Sequence, residues 1–277
     1  MGAWLGERLS EFIDVAGFIA DERFVYESGS PVSGNDPYRP HTFVWFYRDL
    51  REEVFVPGAI HVVHQDERIL VVDKPAFLST IPRGRHVAQS VVVRLRAELG
   101  LPELSPLHRL DRVTSGLLLL ATEKRWRGLY QSMFQRGEVN KVYRALAPRT
   151  ADLEFPVTVR NHLEKRRGRM QAEVVADAPV NAESVIELES EVDEASAVYR
   201  LAPRTGRTHQ LRMHMFGLGI PISGDPLYPV VRDVSVDDFA HPLQLLASEL
   251  SFIDPVDGDR RRFASVRTLP LPEEAGP

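Results

Sequence analysis

The sequence contains no cysteine among its 277 residues. This absence excludes disulfides, a thiolate nucleophile and a cysteine-ligated zinc site. It is also typical of proteins from a reducing compartment. No apolar run reaches the roughly 20 residues that a membrane-spanning helix needs. The N-terminus shows no basic segment followed by a long apolar stretch, as a secretory signal would. We therefore expect a soluble, cytoplasmic protein.

A basic excess is also missing, because the formal net charge is −5. Domains that bind nucleic acids are usually basic, so the total charge argues weakly against such a partner. Binding depends on local potential, however, and the basic residues here are clustered. The clusters lie at 165–169, 204–212 and 260–262. Each is equally compatible with a solvated surface and with a nucleic-acid contact.

The chain divides into two parts by its turn-forming residues. With 43% hydrophobic residues and this length, it can bury a sizeable core. A loop-like stretch at 28–40 and the Pro57-Gly58 turn set off residues 1–56, which we predict to be a small N-terminal extension. Residues 57–277 then form one continuous domain. Strand and helix patterns alternate there with hairpin-like neighbours, which favours an α+β fold with a mixed sheet.

Hydrophobic periodicity predicts the individual elements. Helices are expected at 88–99, after Thr122 and after Thr208, with the two threonines as N-caps and Gly137 ending the second helix. The second helix should bury an apolar stripe that includes Leu129 and Tyr130. Strands are expected at 43–47, 69–72, 117–121, 139–147, 197–201, 242–252 and 261–266. In the strand 139–147, Lys141 and Tyr143 should share one face.

One segment, residues 108–116, concentrates groups that can perform chemistry. Asp111 lies there between Arg109 and Arg112, where a loop enters an apolar strand. Opposite charges nearby favour the ionised carboxylate, which is the form that a nucleophile or general base needs. A structural Asp-Arg pair explains the same residues, so the composition alone leaves both interpretations open.

A second segment, residues 204–214, joins a Thr-Gly turn to a helix start. Backbone N–H groups at a helix start can bind an anion such as phosphate. His209 and His214 are five residues apart, which is not the spacing of a helical zinc pair, and no HExxH motif occurs. We therefore expect no metal site.

Four motifs together resemble the RluA family of RNA pseudouridine synthases, in the order that the family shows. They span about residues 58 to 270. The motifs are Val71-Val72-Asp73-Lys74-Pro75, the segment 108–119 beginning His-Arg-Leu-Asp-Arg, the Lys-x-Tyr-x-Ala element at 141–145, and Arg-Thr-Gly-Arg-Thr-His-Gln-Leu-Arg at 204–212 with its continuation to Tyr228.

The resemblance implies a fold and a mechanism. The fold is a bent, mostly antiparallel mixed sheet flanked by helices, with an active cleft across its middle. The family isomerises uridine in RNA to pseudouridine without a cofactor or metal. By position, Asp111 corresponds to the nucleophile, Tyr143 to the active-site tyrosine and Arg212 to the arginine paired with the aspartate. Attack at the sugar C1′ and attack at the uracil C6 both stay open.

The resemblance also implies substrate contacts. Arg109 corresponds to the residue that fills the space vacated by a flipped base, a role that suits a planar guanidinium. Leu211 corresponds to the apolar residue beside the paired arginine. Arg207 and Thr114 are further expected substrate-binding residues. Lys74 either contacts an RNA phosphate or pairs with an acidic side chain.

The expected partner is RNA, with ribosomal RNA favoured over transfer RNA, and the expected state is a monomer. Residues 1–56 have a length suited to an S4-like RNA-binding module or an unrelated extension. Phe77 stands where glycine is common in the family. The alternative function is a non-catalytic RNA-binding protein on the same fold. A glycosidase-like hydrolase is disfavoured, because Asp111 lacks a second carboxylate in a comparable motif.

Overall fold

The computed structural model describes residues 1–9, 13–47, 49, 52–84 and 86–271. The chain forms two compact units, Met1–Glu52 and Glu53–Pro277. The acidic residues Glu273 and Glu274 of the C-terminal tail lie outside the described residues. Within the described ranges, no helix is long and apolar enough to span a bilayer.

The first unit combines two short helices with a two-stranded hairpin. The helices are α1 (Gly2–Arg8) and α2 (Val15–Ala20), and the antiparallel strands are β1 (Phe24–Tyr26) and β2 (Val44–Phe46). Strand β2 confirms the strand predicted at 43–47. The unit has its own small core, formed by Met1, Leu5, Phe24 and Val32. Its suggested likeness to an S4 module stays a prediction.

The second unit is built on a ten-stranded sheet with the order β3-β4-β6-β13-β7-β12-β11-β8, extended by β5 beside β6 and β14 beside β13. Its strands are β3 (His61–Gln65), β4 (Ile69–Lys74), β5 (Ser105–Pro106), β6 (Ser115–Ala121), β7 (Asn140–Pro148), β8 (Val157–Asn161), β11 (Ala182–Glu191), β12 (Ser196–Pro203), β13 (Leu245–Ile253) and β14 (Arg260–Ala264). A separate hairpin consists of β9 (Leu163–Glu164) and β10 (Glu173–Val174). The helices are α3 (Val91–Leu99), α4 (Lys124–Arg136) and α5 (Gln210–Gly217).

The strand directions confirm the predicted α+β class with a mixed, mostly antiparallel sheet. Among the described strands, β13 and β6 pair in parallel, and the other pairings are antiparallel. Strands β4 and β6 are buried along their whole length. A strand covered on both faces reads as a nearly continuous apolar run, which explains the Leu117–Leu120 sequence.

Helices cover both faces of this central pair of strands. Successive side chains of a strand point to opposite faces, so Leu118 and Leu120 join one core cluster while Leu117 and Leu119 join another. Helices α3 and α5 contribute to the first cluster, and α4 packs on the second. The sheet therefore holds the loop that precedes β6 between two packed layers.

Gly116 permits the parallel pairing of β6 with β13. Its φ is +107°, and a Cβ at this position would lie 2.4 Å from the carbonyl oxygen of Ala247. A glycine is needed here because only it combines this backbone conformation with so close an approach. The Ser-Gly pair that follows the Asp111 loop thus joins that loop to the middle of the sheet.

The helix boundaries confirm one predicted signal and correct two. Gly137 ends α4 in the left-handed conformation, as expected. Thr122 does not cap α4, because its hydroxyl donates to the carbonyl of Glu67 instead. Thr208 does not cap α5, since the N-cap position falls on His209. The prediction that Leu129 is buried in the apolar stripe of α4 is also wrong, because this side chain is 47% exposed.

Candidate active site

A cleft of about 960 Å³ opens beside the loop that precedes β6. Its walls come from that loop, the end of α4, strand β7, the 203–209 turn and the first turn of α5. The residues proposed from the sequence, apart from Lys74, line this single cleft. They are Arg109, Asp111, Thr114, Tyr143, Arg207, Leu211 and Arg212.

Asp111 sits in a loop that is tied down on both sides. Its carbonyl accepts a hydrogen bond from the Thr114 amide at 3.0 Å. The neighbouring Leu110 exchanges hydrogen bonds with the hydroxyl of Thr80, at 2.9 and 3.2 Å. The Asp111 side chain keeps 33% of its surface exposed. Its carboxylate is therefore held in place and still reachable from the cleft.

Arg212 joins Asp111 to a second, deeper carboxylate. Its Nη1 lies 3.3 Å from Asp111 Oδ2. Its Nε and Nη2 donate to the two carboxylate oxygens of Asp225, at 2.8 and 2.6 Å. Burial disfavours the charged guanidinium, but the hydrogen bonds and charge of Asp225 outweigh burial and raise the pKa of Arg212. Arg212 is therefore a permanent cation in contact with Asp111.

Asp225 is the main site residue that sequence reasoning missed. It is 1% exposed, and its Oδ1 also accepts the backbone N–H groups of Leu227 and Tyr228. The preceding Gly224 has a φ of +75°, and a Cβ there would lie 2.4 Å from the Pro242 carbonyl oxygen. The available signal is the Gly-Asp-Pro-Leu-Tyr string at 224–228, which lies in the continuation of the fourth motif to Tyr228.

His209 and Tyr228 complete the surroundings of Asp111, and neither was assigned a role from the sequence. His209 adopts the left-handed conformation and places its Nε2 3.8 Å from Asp111 Oδ2. Its Nδ1 lies 2.9 Å from the Tyr228 hydroxyl, which accepts the Ala172 amide. Burial lowers the pKa of His209 and raises that of Tyr228 to about 12. Arg212, and not His209, is thus the side chain that stays positively charged beside Asp111.

Tyr143 projects from β7 into the same cleft. Burial, and then the charge of Asp111, raise the pKa of its phenol above the usual value of a tyrosine. The group therefore stays protonated at neutral pH. Lys141, two residues earlier, also lines the cleft, which confirms the predicted shared face.

His108 anchors the Asp111 loop to the sheet. Its Nε2 accepts the Leu119 amide at 3.1 Å, and its ring stacks on Phe134 at a centroid distance of 4.8 Å. Burial, with a smaller contribution from the charge of Lys141, lowers the pKa of His108 to about 3. A neutral ring is required here, because a protonated Nε2 has no lone pair to accept the amide.

Both interpretations of Lys74 are wrong. The residue is fully buried, so its ammonium is not available to an RNA phosphate. It forms no ion pair with a described carboxylate; its Nζ donates to the carbonyls of Pro75, Leu78 and Arg112, at 2.9, 2.8 and 3.1 Å. Burial lowers its pKa well below the usual value. Lys74 connects two loops, and sequence reasoning failed because the burial depends on how those loops fold over it.

Of the remaining predicted contacts, Arg109 and Arg207 lie at the cleft surface, whereas Thr114 and Leu211 are buried. Arg109 is exposed and has no hydrogen-bond or ion-pair partner in the described part of the chain, while exposed Arg207 donates to the Asn181 carbonyl at 3.1 Å. Leu211 is buried beside Arg212. The described residues contain no cluster of three potential metal-ligating side chains.

Two of the three basic clusters lie outside the cleft lining. Residues 165–169 form the exposed turn of the β9–β10 hairpin. In the 260–262 cluster, Arg261 pairs with Asp254 and Asp257, and Arg262 pairs with Glu249. Of these three clusters, the 204–212 segment is the one that supplies cations to the cleft wall.

Comparison with known proteins gives the class of this protein. Residues 68–216 match the family model described as RNA pseudouridylate synthase. The dual-specificity RNA pseudouridine synthase RluA of Vibrio cholerae serotype O1 is 34% identical over 224 residues, which are 77% of this chain and 82% of the relative. The RluA protein of Yersinia pestis is 30% identical and is covered over 96% of its length, against 73% of this chain.

Solved structures agree with this class. Human RNA pseudouridylate synthase domain containing 4 superposes with a TM-score of 0.56 at 25% identity, covering 74% of this chain and 87% of the human chain. Human RNA pseudouridylate synthase domain containing 1, at 21% identity and a TM-score of 0.58, shares the fold; 80% of this chain and all of the human chain are covered. The protein is thus an enzyme of the RNA pseudouridine synthase class. Within that class, the chain belongs to the RluA family, and its reaction is the isomerisation of uridine in RNA.

Proposed function

We propose that this chain converts uridines of ribosomal or transfer RNA to pseudouridine with Asp111 as the nucleophile. The observation that carries the proposal is the sharing of Arg212 between two carboxylates. Asp225 is enclosed and neutralises the guanidinium, whereas Asp111 remains one-third exposed to the cleft. Asp111 is therefore the carboxylate that a substrate can reach while it is ionised and held.

The substrate first has to leave the base stack. Extruding a base from a helix costs a few kcal/mol, and the gap it leaves favours a flat group that can stack on the neighbouring bases. Arg109 is exposed, unpaired within the described chain and on the same loop as Asp111. Its planar guanidinium suits this place.

The bond changes then balance without an oxidant or reductant. The C1′–N1 bond breaks, a C1′–C5 bond forms, C5 gives up its hydrogen as a proton and N1 takes up a proton. Asp111 drives the detachment either by attack at C1′ or by addition at C6. No cofactor is required for this redistribution. The raised pKa of Tyr143 supports a role in stacking on the uracil over a role as a phenolate base.

The proposed substrate is ribosomal RNA, with transfer RNA as the alternative. The enzyme is proposed to be a monomer that acts in the cytoplasm. The relatives from Vibrio and Yersinia carry the term dual-specificity in their names, which supports testing more than one RNA. The exposed basic turn at 165–169 is a suitable contact for the RNA backbone, because such contacts set affinity and its salt dependence.

Tritium release tests this function directly. Ribosomal and transfer RNA labelled with tritium at uracil C5 are prepared from cells lacking this protein and incubated separately with the wild-type chain. We expect release from ribosomal RNA, because the C5 hydrogen is lost when C1′–C5 forms. Release from transfer RNA alone would overturn the ribosomal preference. No release from either pool, with folded protein that binds RNA, would instead support a non-catalytic RNA-binding protein.

A further inference from the structure

Lys141 is a partly buried cation of the cleft that lacks a partner. It lies on β7 and lines the cleft with Tyr143. It makes no hydrogen bond and no ion pair with any residue that the structure describes, whereas several arginines of the same cleft are paired. The paired arginines are Arg136 with Glu138, Arg204 with Glu183, and Arg212 with Asp225.

The surroundings of Lys141 leave its charge uncompensated. A side chain at Gly206 would begin 3.8 Å from Lys141 Nζ, so the ammonium lies against the 204–207 turn. Its charge also acts on the ring of His108. Burial lowers the pKa of Lys141, and no carboxylate offsets this effect. Holding an unpaired charge away from water costs free energy unless an anion arrives.

We infer that Lys141 binds a backbone phosphate of the RNA strand that carries the target uridine. The inference rests on the proposed function and adds a substrate subsite to it. Residues two apart on a strand are separated by roughly 6.6 Å, so Lys141 lies one such step from Tyr143.

A phosphate suits this position better than the uracil ring does. Uracil enters the site neutral, and its reacting atoms must lie at Asp111. The anions that an RNA strand brings to the rest of the cleft are its phosphates. A compact ammonium binds a phosphate as a point charge and needs no fixed orientation. The missing side chain at Gly206 leaves this part of the wall open to the RNA backbone.

Salt-dependent RNA binding tests the subsite. The chain has four lysines, and Lys124 is exposed at the start of α4, outside the cleft lining. Binding of the labelled ribosomal RNA pool is measured over a series of salt concentrations for wild type, Lys141→Met, Lys141→Arg and Lys124→Met. We expect Lys141→Met to bind several-fold more weakly and to reduce the slope of log K against log salt by about 0.7 to 0.9. Lys141→Arg should keep the slope.

Other outcomes overturn the inference. An unchanged salt slope in Lys141→Met, or an equal loss of slope in Lys124→Met, shows that Lys141 holds no particular phosphate. A lower kcat for tritium release at saturating RNA, with unchanged affinity, shows that the ammonium acts on the uracil instead. Failure of the proposed function is distinct from both. It appears as wild-type protein that releases no tritium, while the salt slope still reports whether Lys141 contacts the backbone.

Replacing single RNA phosphates with an uncharged analogue identifies the phosphate that Lys141 contacts. A synthetic RNA hairpin carrying the uridine that wild type modifies is made with one methylphosphonate, moved across the linkages that flank this uridine. At one linkage, the neutral group should weaken wild type as much as Lys141→Met does, and should weaken Lys141→Met no further. Losses that add to the effect of Lys141→Met at every linkage would overturn the assignment.

Discussion

Arg212 contacts two carboxylates that differ in exposure, and the difference separates their roles. Asp225 takes two guanidinium nitrogens and two backbone amides in a buried site. Asp111 takes the third nitrogen and faces the cleft. Since Asp225 already balances the charge of Arg212, Asp111 adds a net negative charge where the substrate enters. On this difference we propose Asp225 as a positioning residue and Asp111 as the reactive one.

Asp225→Asn should damage both stability and rate. The amide keeps the shape but removes one charge of a buried pair, a change that typically costs about 3 kcal/mol or more of unfolding free energy. If Arg212 also shifts enough to cost the transition state about 1.4 kcal/mol, the rate falls about tenfold. Urea unfolding and tritium release measure the two effects. Asp259 is exposed, and Asp259→Asn is the control, whose unfolding free energy should stay within about 0.5 kcal/mol of wild type. Equal losses of stability and rate in the two variants would contradict the role of Asp225.

Tyr143 should remain a neutral phenol well into the alkaline range. Burial and the charge of Asp111 both raise its pKa above 10, so the protonated form persists as the pH rises. The difference between the ultraviolet titrations of wild type and Tyr143→Phe reports this group alone. We expect no phenolate from Tyr143 below pH 10. A step in the difference spectrum with its midpoint below pH 10 would restore the role of a phenolate base.

Most of the cleft could be predicted at the residue scale because its parts belong to recognisable motifs. Asp111 and Arg212 are 101 residues apart, and spacing alone does not bring them together. The role of Asp225 could not be predicted, because its contact with Arg212 depends on the turn at Gly224 and leaves no periodic pattern in the sequence. Lys74 was misjudged because a lysine after a strand ordinarily reaches water, whereas here the surrounding loops enclose it.

The pairing of β6 with β13 is the contact between elements on which the Asp111 loop most depends. It closes the gap between the hairpin side of the sheet, β3 and β4, and the remaining strands. The two strands pair at Ser115 and Gly116 only, directly after the loop. A distortion at this point moves the loop with it.

Gly116→Ala should unfold the protein more easily, and Gly128→Ala should not. At position 116 a Cβ meets the Ala247 backbone at 2.4 Å and the φ is +107°, so we expect a loss of at least about 2 kcal/mol. At position 128, inside α4, a Cβ meets nothing within 4 Å, so alanine should stabilise by roughly 0.5–1 kcal/mol. Urea unfolding compares the two; an equal response would contradict the close packing at Gly116.

Strands were easier to predict than helix starts, for a physical reason. The buried runs at 69–72 and 117–121 reflect burial on both faces, which their sequence displays. Caps depend on where a side chain finds a partner. Thr122 donates to the Glu67 carbonyl in the β3–β4 turn, and local sequence gives no sign of this partner.

At the scale of the whole molecule, each compact unit has a core of its own. The segment that matches the family model, 68–216, lies within the second unit, and so do all the proposed site residues. The net charge of −5 does not describe the cleft, whose wall carries cations. Local placement explains why an acidic chain can bind RNA.

A chain restricted to residues 53–277 should therefore fold and keep its chemistry. We expect a cooperative urea transition and a single-turnover rate of tritium release, at saturating RNA, close to that of the full chain. If residues 1–52 contact RNA, the shortened chain should bind RNA more weakly than the full chain. Loss of the cooperative transition, or of the saturated rate, would show that the first unit is part of the catalytic structure.

The central claim is that Asp111 is the nucleophile. The most direct measurement is tritium release from C5-labelled RNA by wild type, Asp111→Asn and the exposed control Asp152→Asn, with folding checked by urea unfolding. Asparagine keeps the size of the side chain and removes the nucleophilic carboxylate. The account predicts release by wild type and Asp152→Asn and none above background by folded Asp111→Asn. Release by Asp111→Asn at the wild-type rate would contradict it.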